Sequence, residues 1–285
     1  MSIIDWHSHI WLPEHLGDKF GPQIDGHYGH KPSQMGTPEA HRAAMQSDSV
    51  DQSVVIALVS DHLGMRVPNE FVADYVRDDP RLVGIASVDP NRPDCRDEFV
   101  HAITELGLSG LKLAPPYQAF HPHSERAMSL YDAAQDLGVV VYFHQGSVSI
   151  SQGVLDSAQP VLLDRVAREF PRLRIVVAHV GQPWFMETIA LLRKHPNVYA
   201  DVSARCTRPW QLKGILAAAM DYGVQGRLLF GSDFPTFQPA EHARSLLAVN
   251  EEAPGGMEIP AEILWGIVHD RPLSLVGLAP QARIA

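Results

Sequence analysis

The stretch Asp5-Trp6-His7-Ser8-His9 comes directly after the first apolar run of the chain, Ser2-Ile3-Ile4. Two histidines, two residues apart, therefore lie where a buried strand is expected to end. Alternate side chains of an extended segment point to the same side, so His7 and His9 are placed to bind one metal ion together. Taken alone, such a pair is more often two polar residues at a strand end, and the metal-site interpretation depends on residues further along.

Seven further β-rich runs follow, and several are continuous in Val, Ile and Leu, as in residues 54–59. Such runs are typical of strands that are buried on both faces of a parallel sheet. Segments with apolar residues at helical spacing separate them. The predicted strands are 2–6, 53–59, 82–87, 110–113, 139–144, 173–179, 198–202 and 227–230. The predicted helices are 68–78, 94–106, 125–137, 160–170, 183–194, 209–222 and 239–250.

Strand and helix alternating about eight times predict an α/β fold, either a closed barrel or an open doubly wound sheet. An open nucleotide-binding sheet should show Gly-x-Gly-x-x-Gly after its first strand, where this chain has His7-Ser8-His9. The sequence therefore favours a (β/α)8 TIM barrel, with some distortion allowed, as a single domain over residues 1–285. Residues 12–36 are predicted to form a lid-like insert after strand one, and residues from about 258 to 285 a helical tail.

Composition narrows the class of partner. The formal net charge of -10 argues against a nucleic-acid groove or an anionic membrane surface. No run of about 18 apolar residues predicts a membrane span. Two cysteines cannot build a disulfide framework, and no secretion signal is visible, so a cytoplasmic location is expected. The expected partner is a small-molecule substrate.

Four polar residues recur at later predicted strands: Lys112 lies in strand four, His144 and His179 end strands five and six, and Asp233 follows strand eight. Because the carboxyl ends of barrel strands share one rim, these side chains are expected to converge. Singly, each histidine fits a core position and Asp233 fits a helix cap. Together they predict a site for one divalent ion, with Zn²⁺ expected first and Mn²⁺, Fe²⁺ or Co²⁺ compatible.

The ordered motifs resemble the amidohydrolase superfamily. They are Asp5-Trp6-His7-Ser8-His9, Gly110-Leu111-Lys112-Leu113, Phe143-His144-Gln145-Gly146, Ala178-His179-Val180-Gly181 and Gly231-Ser232-Asp233-Phe234-Pro235. The likeness spans residues 3 to about 240 and is closest to the amidohydrolase-related branch with aminocarboxymuconate semialdehyde and resorcylate decarboxylases. Residues 263–272 depart from the branch, which often carries an Asn-Ala pair there.

The resemblance implies roles for these residues. His7, His9, His144 and Asp233 match the ligands of a mononuclear metal site, and Asp233 also matches the general base that takes a proton from water. His179 matches a histidine that orients or polarises the water or substrate. Lys112 is expected to bind substrate or support the site. In binuclear relatives a carboxylated lysine at this place bridges two ions, so a second metal is the less expected alternative.

The leading hypothesis is a metal-dependent hydrolase acting on an ester, lactone or amide of a small carboxylated or cyclic compound. The alternative is a metal-dependent non-oxidative decarboxylase or another lyase, such as a hydratase, acting on a small aromatic or unsaturated acid. A metal that only stabilises the barrel is a third alternative. Arg66, Lys112 and Arg205 are available as anion anchors. The lid region around Trp11, His27, Tyr28 and His30 is expected to select the substrate, and several other histidines, among them His41, are interpreted as surface or lid residues. The resemblance also allows a homodimer.

Overall fold

The computed structural model describes residues 2–279, and its central feature is one sheet of eight parallel strands in sequential order. Each predicted strand is present, most of them shorter by one to four residues. The strands are β1 (Ile4–Ser8), β2 (Gln52–Ile56), β3 (Leu82–Ser87), β4 (Gly110–Leu113), β5 (Val140–Phe143), β6 (Ile175–Val177), β7 (Val198–Asp201) and β8 (Leu228–Leu229). The TIM-barrel prediction is confirmed.

The barrel closes where its two ends meet. Strand β8 has only two residues, and the closing hydrogen bonds are made mainly by the segment that follows it. Trp6 N–H donates to the carbonyl of Phe230 over 3.0 Å, and Asp233 N–H donates to the carbonyl of His7 over 2.8 Å. His9 N–H donates to the carbonyl of Phe234, also over 2.8 Å. The seam therefore runs through residues that the sequence assigns to the metal site.

Helices separate the strands, as the apolar spacing predicts. Helix α7 covers Glu125–Leu137, the predicted range, and ends at Gly138 in the left-handed conformation with φ 70°. Prolines begin two other predicted helices. The helices that follow strands β1 to β8 in turn include α3 (Pro38–Ser47), α4 (Asn69–Val76), α5 (Cys95–Thr104), α7, α8 (Leu163–Glu169), α9 (Phe185–Lys194), α10 (Pro209–Asp221) and α11 (Pro239–Leu247).

Apart from α1 (Gly17–Tyr28) in the insert, the remaining helices are mostly short. They are α2 (Pro32–Met35), α6 (Pro115–Gln118), α12 (Val249–Glu252) and α13 (Ala261–His269), and there are single 3-10 turns at Pro13–Leu16, Leu155–Ser157, Pro160–Leu162, Ala178–Gly181, Gln225–Arg227 and Leu273–Val276. A two-residue antiparallel ladder joins Val59–Ser60 to Met65–Arg66. No helix within residues 2–279 is both long and apolar enough to cross a bilayer.

The insert at residues 12–36 is largely helical. Its main element is α1 (Gly17–Tyr28), which contains three glycines and a proline and so has low intrinsic helix propensity. The helix buries Phe20 and Ile24, and Leu16 precedes it in the core. Burial of these side chains, rather than local preference, accounts for the helix.

The barrel interior is packed with alternate strand residues, among them Trp6, Ile56, Ile85 and Tyr142. The last described segment joins this core, because Leu273, Val276 and Leu278 belong to the same cluster of buried side chains. The predicted tail from residue 258 thus contains α13 and a 3-10 turn before residue 279. Residues 280–285 of that prediction lie outside the described residues.

Candidate metal centre

Three of the predicted ligands meet at the seam. The Nε2 atoms of His7 and His9 lie 3.2 Å apart, and Oδ1 of Asp233 lies 3.6 Å from each of them. Donors about 2.0–2.2 Å from one tetrahedral ion are separated by about 3.3–3.6 Å. These three atoms are therefore spaced for one small divalent ion.

The hydrogen bonds of the two histidines fix which ring nitrogen is free. His7 Nδ1 donates to Oδ2 of Asp201 over 2.9 Å, and His9 Nδ1 donates to the carbonyl of Ile56 over 2.8 Å. Each neutral ring then presents the lone pair of its Nε2 atom to the other ring. Two lone pairs at 3.2 Å repel each other unless a cation lies between them, so the donor set fits a metal ion.

The charges of the cluster agree with this. Burial lowers the pKa of His7 and of His9 well below the usual range, which leaves both imidazoles neutral. Burial also raises the pKa of Asp233 to about 8, opposed by the positive charge of Lys112. A divalent cation beside Asp233 would favour its ionised form.

His144 lines the same cavity but is not part of the close triple. Its Nε2 lies 3.3 Å from the carbonyl of Ser147, and its ring centroid is 5.0 Å from that of His179 and 4.7 Å from that of Tyr117. Burial lowers the pKa of His144 to about 3, so this ring is also neutral. Its role as a fourth ligand stays a prediction.

His179 lies just beyond β6, in a 3-10 turn, with φ 53°. Its backbone N–H donates to Oδ1 of Asp201 over 3.0 Å, which holds this left-handed conformation in place. The hydroxyl of Ser203 donates to the same Oδ1, so its oxygen accepts from Nδ1 of His179 over 2.8 Å. The neutral ring therefore presents Nε2 to the cavity as a hydrogen-bond acceptor.

Asp201 is the functional residue that the sequence analysis missed. It ends β7, is fully buried, and contacts both His7 and His179 through different oxygens. Potential ligand atoms of Asp201 and those two histidines lie within 4.8 Å of one another, so these residues form a second group that could hold a metal ion. A carboxylate at the end of a strand at this rim was the available signal, because the other site residues share that position.

Lys112 is buried in β4, with its Nζ 3.4 Å from Nε2 of His7. Burial lowers the pKa of Lys112 to about 8, opposed by the negative charges of Asp201 and Asp233. The side chain is thus directed at the three candidate ligands His7, His9 and Asp233, here called the metal-ligand cluster, as the strand register predicts.

The cavity above this cluster has two compartments. The inner one has a volume of about 50 Å³ and is bounded by His7, His9, Lys112, Trp11 and Phe20. The outer one has a volume of about 320 Å³, within the size range of small-molecule sites, about 300–1,000 Å³. His144, His179, Asp233, Tyr28 and Tyr117 line both compartments. The inner compartment has room for an ion and a few atoms, and the outer one for a substrate.

The predicted lid residues are partly at this cavity. Trp11 and Tyr28 line it, and His27 lines its outer compartment. His30 instead contacts the carbonyl of Thr236 over 3.0 Å. Of the two arginines predicted as anion anchors, Arg205 lines the outer compartment, whereas Arg66 lies elsewhere.

Arg66 is paired with Asp61 and Glu98 at the surface, so its proposed role in anion binding is not supported. His41 was interpreted as a surface or lid residue, and that was wrong. It is fully buried and contacts Tyr75 and Ser8.

Solved structures of other proteins share this fold over nearly the whole chain. An uncharacterized TIM-barrel protein from Bordetella bronchiseptica is 22% identical, with a TM-score of 0.75, and 95% of this chain and 96% of that chain are covered. A probable 2-pyrone-4,6-dicarboxylic acid hydrolase from Acinetobacter baumannii, with citric acid bound, is 17% identical, with a TM-score of 0.66 and coverages of 98% and 100%. A 5-carboxyvanillate decarboxylase from Novosphingobium aromaticivorans, complexed with manganese, is 17% identical, with a TM-score of 0.66 and 94% of both chains covered.

Sequence comparison adds a partial match and a full-length one. A dihydroorotase from Helicobacter hepaticus is 25% identical over 118 residues, which are 39% of this chain and 33% of that protein. The chain therefore spans about a third of the length of this curated relative. The model of the amidohydrolase family matches residues 4–278. The family predicted from the motif series is confirmed, and this chain belongs to the amidohydrolase family.

Proposed function

We propose that this protein is a metal-dependent hydrolase that cleaves an ester, lactone or amide of a small carboxylated or cyclic compound. The observation that carries the proposal is the pair of facing Nε2 lone pairs of His7 and His9, 3.2 Å apart, with a carboxylate oxygen of Asp233 equidistant from both. Nitrogen and carboxylate donors in this number suit Zn²⁺, and Mn²⁺, Fe²⁺ and Co²⁺ are compatible.

His7, His9 and Asp233 would hold the ion, and His144 is the adjacent candidate for a further ligand. A bound divalent ion supplies Lewis acidity, which polarises a substrate carbonyl and lowers the pKa of water. The remaining catalytic work falls to side chains that line the cavity around this cluster.

Asp233 is the proposed general base. Its side chain lines both compartments, so its carboxylate faces the space where a substrate and a water molecule would meet. Proton transfer needs hydrogen-bond reach between the base and the water. Asp233 N–H is bonded to the carbonyl of His7, which fixes the base relative to the first strand.

His179 is proposed to orient the water. Its Nδ1 is already engaged by Ser203, so the neutral ring accepts a hydrogen bond at Nε2 from a water in the cavity. The ring therefore holds the attacking oxygen in place while Asp233 takes its proton. Lys112, unmodified and beside His7, is proposed to bind a substrate oxygen or to support the site.

A decarboxylase is the second candidate function, and one observation favours it. Three aromatic rings, Tyr28, Tyr117 and Phe237, line the outer compartment together with Arg205, a surrounding suited to an aromatic acid. A decarboxylase of similar fold is complexed with manganese. In that reaction a proton is delivered to the ring carbon and carbon dioxide leaves, so no water is consumed.

Isotope labelling distinguishes the hydrolase function from the decarboxylase function. The metal-loaded protein is incubated in ¹⁸O-water with aryl esters, six-membered lactones, N-acyl amides and hydroxybenzoic acids, and the products are analysed by mass spectrometry. We expect one ¹⁸O atom in the carboxyl group of a cleaved ester, lactone or amide. The Asp233→Asn variant should lose this activity, whereas Asp136→Asn, at an exposed position, should retain it. Carbon dioxide release from an acid, without cleavage of any acyl compound, would replace the hydrolase proposal with the decarboxylase one.

A further inference from the structure

Arg205 lies in the segment between β7 and α10 and lines the outer compartment beside His144, His179 and Asp233. Its backbone N–H donates to Nε2 of the buried His242 over 3.0 Å, which fixes the start of its side chain. The side chain itself is only partly exposed. The guanidinium is thus a positive charge at the wall of the cavity.

No acidic side chain in the described part of the chain pairs directly with this charge, although Asp233 and Asp201 act on it from a longer distance. Among residues 2–279, no carboxylate lies within 4.0 Å of the Arg205 guanidinium, and its side chain makes one hydrogen bond, from Nη1 to Oε1 of Gln211 over 3.3 Å. Its Nε atom is buried and has no hydrogen-bond partner there. Several other arginines pair with carboxylates, as Arg66 does with Asp61 and Glu98. A partly buried cation without a counter-ion is costly unless a ligand supplies the negative charge.

Other side chains at the outer compartment near Arg205 also carry hydrogen-bond donors without an acidic partner. Gln182 lines the outer compartment and is 8% exposed, and its Nε2 donor has no partner in the described part of the chain. Arg208 is exposed at the same compartment. Three donor-bearing side chains therefore share this wall, while its acidic residue, Asp233, belongs to the metal-ligand cluster.

We propose that Arg205 is the anchor for a carboxylate of the substrate, in a subsite of the outer compartment separate from the metal-ligand cluster. Guanidinium and carboxylate groups match in a planar, two-bond geometry. This role of Arg205 rests on the proposed function, because the anchored acid would present a second group, the hydrolysable carbonyl, to His7, His9 and Asp233. The substrate class is then a small compound with a carboxylate on one side and an ester, lactone or amide on the other.

A pair of esters that differ only at this carboxylate tests the subsite. The metal-loaded protein is assayed with 4-nitrophenyl hydrogen terephthalate, whose free carboxylate cannot reach its own ester, and with methyl 4-nitrophenyl terephthalate, in which that group is esterified. A charge-assisted pair of hydrogen bonds corresponds to a preference of about 10- to 100-fold. We expect the free acid to be favoured by that factor in kcat/KM. Equal kcat/KM values for the two esters would overturn the subsite.

Two variants test whether the preference for the free acid depends on Arg205. Arg205→Gln removes the cation and should abolish the preference. Gln211→Glu keeps the size of the side chain and places a carboxylate oxygen where Oε1 of Gln211 now meets Nη1 of Arg205. This internal counter-ion should weaken use of the free acid by about tenfold or more and leave the methyl ester unchanged within about twofold. Arg165→Gln, at an exposed pair with Glu169 on α8, is the matched control and should keep the preference.

A binding measurement separates failure of the subsite from failure of the proposed function. Succinate is titrated into the same metal-loaded proteins by calorimetry. If neither ester is cleaved but succinate binds about tenfold less tightly to Gln211→Glu than to the unmodified protein, the subsite stands and the hydrolase proposal falls. If both esters are cleaved and neither variant changes the preference or the succinate affinity, the hydrolase proposal stands and Arg205 is not the anchor.

Discussion

Asp201 and His7 are joined by a hydrogen bond of 2.9 Å between Oδ2 and Nδ1, and both side chains are fully buried. This bond directs the lone pair of His7 Nε2 towards His9 and Asp233. The other oxygen of Asp201 accepts from the backbone of His179 and from Ser203. One carboxylate thus positions a metal-ligand candidate and the histidine proposed to orient water.

Asp201→Asn is expected to weaken metal binding by about 10- to 100-fold, as is typical when a carboxylate behind a ligating histidine is changed. The reason is that the amide no longer fixes the tautomer of His7 through a charged acceptor. Competition with a chelator of known affinity measures the change. The exposed Asp136→Asn serves as control. An unchanged metal affinity would show that the orientation of His7 does not depend on Asp201.

Metal content is expected to be one ion per chain, lost in His9→Asn and in Asp233→Asn. Elemental analysis of the purified proteins gives the stoichiometry. Because an ion that binds only the folded state stabilises it, a chelator should lower the Tm, by the equivalent of about 4 kcal/mol if the free ion was at 1,000 times its Kd. Two ions per chain would instead support a carboxylated Lys112 as a bridge, since Lys112 Nζ lies 3.4 Å from Nε2 of His7.

His179→Asn should lower kcat by about 10²- to 10³-fold while metal content stays near that of the unmodified protein. His179 is not part of the His7, His9 and Asp233 triple, and its proposed contact is with water or substrate. Ser203→Ala should give a smaller loss, because it removes the bond to Nδ1 but keeps the ring. Unchanged activity and unchanged metal content in His179→Asn would remove this residue from the mechanism.

Protein stability should fall in acid partly through His41. Burial lowers the pKa of His41 to about 3 in the folded protein, whereas an unfolded chain has a value of about 6.5. The unfolded state therefore binds the proton first, and the stability given by neutral His41 is present above about pH 6.5 and lost as the pH falls towards 3. The expected slope is about 1.4 kcal/mol per pH unit.

Urea unfolding at several pH values, with chelator present throughout, measures this slope. His41→Gln should reduce the loss of stability between about pH 6.5 and 4 relative to the unmodified protein. His101→Gln, at an exposed position on α5, should leave the slope unchanged. Equal slopes for all three proteins would mean that His41 is protonated in the folded state.

The sequence predicts the barrel and most of the rim because both depend on strong local patterns. Apolar runs and the x-His-x-His spacing mark strand ends, and the parallel topology then brings His7 and Asp233 together. Asp201 was not predicted, because its position at a strand end is the only signal in the sequence, and no local feature distinguishes such a carboxylate from one exposed to solvent. Only the fold shows that its two oxygens meet residues 194 and 22 positions away.

The helix of the insert and the burial of His41 could not be predicted from local sequence either. Helix α1 is poor in helix-forming residues and is stabilised by burial of Phe20 and Ile24, which a propensity argument cannot see. His41 lies on a helix whose polar composition predicts a solvent-facing surface, yet Ser8, Ser53 and Tyr75 provide partners for its ring inside the protein. Long-range contacts decide both cases.

The seam between β1 and the segment after β8 has a consequence for biosynthesis. Residues 6–9 leave the ribosome more than 220 positions before residues 230–234, with which they share three backbone hydrogen bonds. Until the late segment has emerged, the early histidines have neither their backbone partners nor Asp233. A nascent chain shorter than about 234 residues therefore cannot assemble the three donors, and ion capture during translation should begin only after residues 230–234 have emerged.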